Sequence, residues 1–249
     1  MARTYNQECV LAYALDLLGE RWTLLIFREL FLGPVRFGDL HAALPGIGTN
    51  LLSKRLKELE EAGLVISATP EARSKYRLTD KGEDLRPMMR EFMFWAAEYF
   101  MKRPEPSAAK DCIFSNDLRP DSVALAIEMF QNKRVLEFSN YVLRLKIDDN
   151  PYTFYFMNGE MTAKRGDDAP AIASIESDVE TLMRALRGEL YINDTVARST
   201  VSGDEQTIEH FVVGLTPGAS VAFEVSELIK AARKEHRPER VKARETTTA

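Results

Sequence analysis

The sequence predicts an α+β chain of two domains, the first mostly helical with one β-hairpin, the second an α+β domain on a small, mainly antiparallel sheet. Three observations predict this. Apolar residues recur at helical spacing through the first hundred residues, interrupted by a single pair of short strands. From about residue 140 the pattern changes to alternating strands followed by short helices. Between the two, Lys102-Arg103-Pro104-Glu105-Pro106-Ser107-Ala108-Ala109 brackets a glutamate with two prolines, each disfavouring helix at the residue before it. A length of 249 residues fits two domains better than one. The boundaries read as 1–103, a linker at 104–111, a second domain at 112–226, and a terminal helix with a basic tail at 227–249.

Composition narrows the function. Hydrophobic residues at 45% and charged residues at 29% are ordinary for a globular chain, and no apolar run approaches the roughly 20 residues of a membrane span. The start, MARTYNQECV, carries charge and amides where a signal peptide needs an apolar stretch, so a cytoplasmic location is expected. Two cysteines, Cys9 and Cys112, exclude a disulfide framework and a four-thiolate zinc site. His41, His210 and His236 are too far apart for a spaced metal motif, so neither metal nor cofactor is expected. Net charge is +1 over residues 1–103, −9 over 104–226 and +3 over 227–249. Contact with a polyanion therefore belongs to the first segment or the tail.

The elements of the first domain follow in order. Val10, Tyr13/Ala14 and Leu17/Leu18 recur at helical spacing, with Gly19 as the stop. Trp22 to Leu32 is a second helix, closed by Gly33-Pro34, and a short helix ends at Leu44. Pro45-Gly46-Ile47-Gly48 is a turn, and Thr49 caps a helix that runs to Ala62. Helix, tight turn, helix is the order of a helix-turn-helix, whose second helix enters the DNA major groove. On a helical wheel Leu51, Leu52, Leu56, Leu59 and Ala62 face the core, while Thr49, Asn50, Ser53, Lys54 and Lys57 lie opposite. Amides, hydroxyls and amines on the N-terminal half of a helix are the groups that read base edges and grip phosphates, although a merely solvated face has the same pattern. Arg55 falls inside the apolar arc and should pair with a carboxylate.

Strands at Leu64–Ala68 and Lys75–Thr79 then form a hairpin, the wing of a winged helix, with Arg73 and Lys75 near its tip and Arg36 as a further basic contact. Asp80 caps a long helix to about Met101. That helix carries two adjacent apolar stripes, Met88, Phe92, Trp95 and Tyr99 beside Met89, Met93, Ala96 and Phe100. A small domain needs one such face, so the surplus predicts a homodimer through Met88, Phe92, Trp95 and Tyr99, the alternative being that the second domain covers it.

Leu15-Asp16-Leu17-Leu18-Gly19-Glu20-Arg21-Trp22-Thr23-Leu24-Leu25-Ile26, Gly33-Pro34-Val35-Arg36-Phe37-Gly38-Asp39-Leu40, Leu44-Pro45-Gly46-Ile47, Lys54-Arg55-Leu56-Lys57-Glu58-Leu59-Glu60-Glu61-Ala62-Gly63-Leu64-Val65 and Tyr76-Arg77-Leu78-Thr79-Asp80-Lys81-Gly82 keep one order over about residues 8–100. In that order they resemble the HxlR family of bacterial transcription regulators. The resemblance implies a dimeric winged helix on double-stranded operator DNA. Gly48 stands where members often carry serine, a departure that bears on the capping of the recognition helix. Cys9 matches the N-terminal cysteine that some relatives use to sense electrophiles or oxidants; the alternative is a small inert residue.

In the second domain Tyr141, Leu143, Leu145 and Ile147 alternate with polar positions, Asn150-Pro151 turns the chain, and Tyr152–Met157 is bulky on both faces. Asn158-Gly159 signals a hairpin into Met161–Lys164, Ala171–Ile175 makes another strand, and Asp178 opens a helix that Gly188 ends. Ser202-Gly203-Asp204-Glu205 reads as a capping box for a last helix with Ile208, Phe211 and Val212 inward. Leu182-Met183-Arg184-Ala185-Leu186-Arg187-Gly188-Glu189-Leu190 and Val201-Ser202-Gly203-Asp204 are loosely similar to the sterol-carrier-protein type of domain, over about 112–218. The similarity implies an apolar small-molecule effector among Phe154, Phe156, Met157, Met161, Leu182, Met183, Leu186 and Phe211, the alternative being ordinary core.

Catalytic patterns are missing. There is no phosphate-binding glycine loop, Asp148-Asp149 and Asp167-Asp168 sit in polar turns, and His210 has no acid partner in sequence, so an enzyme is not expected. The leading expectation is a ligand-responsive DNA-binding regulator. A thiol switch at Cys9 competes with it, as does an apolar-ligand carrier that uses the winged helix only to dimerise.

Overall fold

The computed structural model describes residues 4–67, 75–101, 118–130, 140–166, 168–190 and 192–215, and within these the chain is α+β. The linker at 104–111, the tail at 227–249, Arg73 and Cys112 lie outside the described residues, and so does the side chain of Tyr99.

Helix α1 (Val10–Leu18) stops at Gly19, whose amide bonds the Leu15 carbonyl at 2.7 Å. Helix α2 (Thr23–Phe31) is the axis of the first core, with Ile26, Phe27, Leu30 and Phe31 all buried. A short strand β1 (Val35–Arg36) leads into α3 (Phe37–Ala43), and after the turn comes α4 (Thr49–Glu61). Leu52, Leu56 and Leu59 are buried against that core, as the wheel requires, but Leu51 is exposed, because it sits at the edge of the apolar arc. The expected cap at Thr49 is also displaced. Gly48 occupies the N-cap position, and no side chain caps the helix.

Strands β2 (Val65–Ser67) and β3 (Lys75–Leu78) pair antiparallel as the wing, and β1 joins on the far side, giving the order β1-β3-β2. The single helix expected from Asp80 is in fact two, α5 (Asp80–Glu83) and α6 (Arg86–Met101). Pro87 has no amide for the Glu83 carbonyl, and its ring would clash there, so the helix restarts with Pro87 in its first turn. The cap is Thr79 and not Asp80: its hydroxyl accepts from the Gly82 amide at 3.1 Å and donates to the Gly63 carbonyl at 2.7 Å. Gly82 must be glycine, since a Cβ there would lie 2.2 Å from the Leu64 carbonyl oxygen.

Helix α7 (Pro120–Phe130) precedes a five-stranded sheet of β4 (Tyr141–Ile147), β5 (Asn150–Met157), β6 (Glu160–Arg165), β7 (Ala173–Ser177) and β8 (Thr200–Gly203), ordered β6-β5-β4-β7-β8. β4, β5 and β6 form an antiparallel meander, β7 crosses over to run parallel to β4, and β8 returns antiparallel. The β4–β5 turn is at Asp148-Asp149, with Asp148 at φ 52, and not at Asn150-Pro151, which already belong to β5. Asn158 and Gly159, at φ 54 and 78, make the expected tight hairpin. Helix α8 (Val179–Leu186) is capped by Asp178, which accepts from the Thr181 amide at 2.7 Å. Helices α9 (Ile192–Ala197) and α10 (Glu205–Leu215) complete the layer. The expected capping box is a strand end: Ser202 lies in β8 with its hydroxyl on that of Ser174, and Asp204 caps α10, accepting from the Thr207 amide at 2.8 Å.

Candidate nucleic-acid interface

The turn between α3 and α4 is fixed from within. Leu44 and Ile47 are buried in the first core, and the Trp22 ring lies against Gly46. Helix α4 is thereby held with its apolar side inward and Thr49, Asn50, Ser53, Lys54 and Lys57 exposed together on the outer side. Lys54 and Lys57 each lie 3.8 Å from a carboxylate one turn on, Glu58 and Glu61. Such exposed pairs contribute at most about 0.5 kcal/mol, so both ammonium groups are readily given up to phosphate. Arg55 meets its expectation by taking Glu58 at 2.5 Å and also Glu20 at 2.7 Å, which ties α4 to the turn between α1 and α2 and removes it from the outer face. Lys81 donates to the Ala62 carbonyl at 3.0 Å and closes the C-terminal end of α4.

The register places Arg36 of β1 directly opposite Lys75 of β3, both exposed. Like charges across a strand pair repel, and an anion bound between them relieves that repulsion. These two residues and the five on α4 are the described members of the expected DNA-contacting set.

On α6 the described members of the two stripes separate. Met89 is buried and Met93 packs on the core, whereas Met88, Phe92 and Trp95 are exposed, with Phe92 and Trp95 stacked at 6.1 Å. The apolar residues of α1 also point outward: Val10, Leu11 and Tyr13 are exposed and only Ala12 is buried. Cys9 is exposed immediately before α1.

Phe154 and Phe156 of β5, Leu182 of α8 and Phe211 of α10 are buried, with Phe211 edge-on to Phe154 at 5.6 Å and to Phe156 at 6.2 Å. Met161 is also buried, and Met183 and Leu186 pack half-buried around this core. Met157 is not with them: at the end of β5 it is 55% exposed, because the strand alternation turns it outward. Met161 also lines a cavity of about 370 Å³ between the start of α6, α7 and β6, alongside Arg86, Glu128 and Met129. Among the described residues no group of three or more His, Cys, Asp and Glu is placed to hold a metal ion, and no helix is long and apolar enough to cross a membrane.

Sequence reasoning missed a polar seam that joins the first core to the second sheet. Glu29 of α2 is buried and takes Arg165 of β6 at 3.3 Å, Arg119 at 3.4 Å and its neighbour Arg28 at 2.7 Å. Arg165 also donates to the Glu29 carbonyl, Arg86 and Lys164 donate to the Phe31 carbonyl, and the Arg165 amide reaches the Leu32 carbonyl at 2.8 Å. Three cations and an amide thus satisfy the carbonyls at the C-terminal end of α2, where the helix dipole favours positive charge. A second buried carboxylate, Glu128 of α7, pairs with Arg86 and accepts from the Ala163 amide at 2.7 Å. Burial pushes the Glu128 carboxyl upward, with Arg86 and the Ala163 amide offsetting part of the shift. Burial also opposes ionisation of Asp121, but Arg165, the Tyr152 hydroxyl and Arg119 outweigh it and hold that carboxyl below the usual range. The only signal in the sequence was a lone carboxylate at Glu29 within the apolar run from Leu24 to Leu32.

Comparison with known proteins bears on the first part of the chain. A model described as HxlR-like helix-turn-helix matches residues 17–104. The chain is 46% identical over 90 residues to YvaP of Bacillus subtilis, an uncharacterised HTH-type transcriptional regulator, covering 34% of this chain and 82% of YvaP. It is 39% identical over 89 residues to the HTH-type regulator YodB of Bacillus subtilis, covering 34% of this chain and 80% of YodB. For Rv3095 of Mycobacterium tuberculosis the figures are 50% over 96 residues, 37% of this chain and 59% of that protein. Among solved structures, quinone-bound YodB from Bacillus subtilis overlays with a TM-score of 0.34 at 36% identity, covering 36% of this chain and 98% of that one.

Proposed function

The chain belongs to the HxlR family of helix-turn-helix transcription regulators, and from that premise we propose that it binds a two-fold operator in double-stranded DNA as a homodimer, under the control of its C-terminal part. The observation that carries this reading is the division of α4, with Leu52, Leu56 and Leu59 buried and Thr49, Asn50, Ser53, Lys54 and Lys57 exposed on one polar face. Asn50 and Ser53 read base edges in the major groove, Lys54 and Lys57 hold phosphate, and Arg36, Lys75 and Arg73 of the wing grip the flanking backbone. Dimerisation uses the exposed stripe of Met88, Phe92 and Trp95, to which the helical spacing of the sequence adds Tyr99. An apolar-ligand carrier that used the winged helix only to dimerise would gain nothing from the polar face of α4. Neither role requires catalysis, and we read the protein as a non-enzyme.

The finer part of the proposal is the control. Residues 112–226 act as a domain akin to the sterol-carrier-protein type and respond to an apolar molecule held among Phe154, Phe156, Met161, Leu182, Met183, Leu186 and Phe211. A small sheet covered by helices, with aromatic rings gathered between them, supports this reading. Exposed Cys9 at the start of α1 favours a second input, thiol modification transmitted into that helix. YodB has been crystallised with bound quinone.

The test is selection of duplexes from a random pool by the full-length protein. Enriched sequences are expected to carry a dyad with half-sites about 10 bp apart or a multiple of that. A pool that shows no enrichment, or enriched sites without a dyad, overturns the reading. Native mass spectrometry of freshly purified protein reports the dimer mass and any retained apolar ligand in one measurement.

A further inference from the structure

We propose that Arg119 is a positioning residue for the recognition helix, the point through which the second sheet sets the seat of α4 on DNA. This rests on the DNA-binding reading above. Arg119 lies immediately before α7, and its guanidinium spans three acceptors that belong to different parts of the fold. Nη1 donates to the Ala43 carbonyl at 3.1 Å, both terminal nitrogens approach the Glu29 carboxylate at 3.4 Å, and Nη2 donates to Asp121 at 3.0 Å.

Ala43 is the last residue of α3, and its carbonyl is one of those a helix end leaves without an intrahelical donor. Only the turn of residues 44–48 separates it from α4, and Leu44 and Ile47 in that turn are buried, so a shift at Ala43 is passed on and not absorbed. The other side of Arg119 is anchored in the second sheet. Asp121 is held by the Tyr152 hydroxyl of β5 at 2.7 Å and by Arg165 of β6 at 2.9 Å. A planar guanidinium is the one side chain that can serve these acceptors together, because its donors are fixed in a fork; an ammonium is a point charge. The route from sheet to recognition helix is therefore Arg165, Asp121, Arg119, Ala43 and the turn.

The experiment uses the full chain with Arg119→Ala, Arg119→Lys and, as a control for general destabilisation, Asp178→Ala, which removes the α8 cap and none of the hydrogen bonds of Arg119. Two quantities are read: affinity for duplexes enriched by the wild-type protein, and amide hydrogen exchange over residues 44–52 without DNA. Arg119→Ala should weaken DNA binding by about ten-fold or more, the scale of one charge-assisted hydrogen bond, and speed exchange over 44–52. Arg119→Lys should fall between Ala and wild type. Asp178→Ala should leave both quantities at wild-type values. Unchanged exchange over 44–52 in Arg119→Ala overturns the inference, and so does an equal loss of affinity in Asp178→Ala. If the wild-type protein enriches no DNA, the functional reading fails, while the exchange measurement still decides the role of Arg119.

Discussion

Asp121 accepts from three side chains on two oxygens: the Tyr152 hydroxyl at 2.7 Å, Arg165 at 2.9 and 3.1 Å, and Arg119 at 3.0 Å. Its pKa is depressed, so the stability it contributes is fully present above the unfolded carboxylate value of about 3.9 and is lost as pH falls through the lower folded value. Asp121→Asn should therefore cost about 2–3 kcal/mol at pH 7. Denaturant titrations from pH 7 to 2 should show that gap closing below about pH 4; a gap independent of pH would mean the carboxylate charge is not what holds the seam. The lysines of α4 are a contrasting case, exposed and weakly paired. Lys54→Ala and Lys57→Ala should leave melting within about 0.5 kcal/mol of wild type, while each lowers the salt slope of DNA binding by about one unit. Asn50→Ala should instead relax base preference. The polar face of α4 was legible in the sequence because amphipathicity within one helix needs no knowledge of the rest of the fold. Glu29 and its partners were not: Arg119 and Arg165 lie 90 and 136 positions away in the chain.

At the scale of elements, α6 carries the clearest surplus. Its two stripes were legible from spacing alone, but only packing shows that Met89 faces the core while Met88, Phe92 and Trp95 are left outside. Trp95→Glu should produce a monomer in sedimentation at micromolar concentration with an unchanged far-ultraviolet spectrum, since the ring is 60% exposed. A dimer that persists in this variant would move the interface elsewhere, with the exposed face of α1 next in line. The same stretch shows how local rules compete. Asp80 is a good capping residue type, yet Thr79 takes the cap through two hydrogen bonds, and Pro87 breaks what periodicity reads as one helix. Likewise Ser202 fits a capping box by sequence but is drawn into β8, because register with β7 offers its backbone a ladder.

For the molecule as a whole, the seam makes the first core dependent on the second sheet. A chain cut after Met101 removes Arg119 and Arg165 from Glu29, leaving Arg28 as its ion-pair partner among the described residues, and strips Arg165 and Lys164 from the end of α2. The cut takes these hydrogen bonds and ion pairs away together with the apolar cover of the second sheet, so the truncated protein should melt below the full chain in calorimetry; an equal melting temperature would mean the seam contributes nothing to the fold of the first part. If an apolar ligand acts through the second sheet, operator DNA must change its affinity by the same factor that the ligand changes operator affinity, about 5–150-fold for a typical coupling of 1–3 kcal/mol. Titration of a fluorescent fatty acid with and without enriched duplex reads that factor, and identical ligand affinity in both would uncouple the second sheet from DNA. The sequence by itself determined the helix-turn-helix with its wing, the polar face of α4, the doubled stripe of α6, the Asn158-Gly159 hairpin and the alternation of β4, since each is a periodicity or a turn written within a few residues. Only the tertiary structure decided that β7 crosses to run parallel to β4, that Met157 faces outward, and that Arg119 and Arg165 tie the second sheet to α2 and α3. Those outcomes depend on which distant groups meet in a low-dielectric seam, where an unpaired charge is costly, and no local pattern in the chain encodes that meeting.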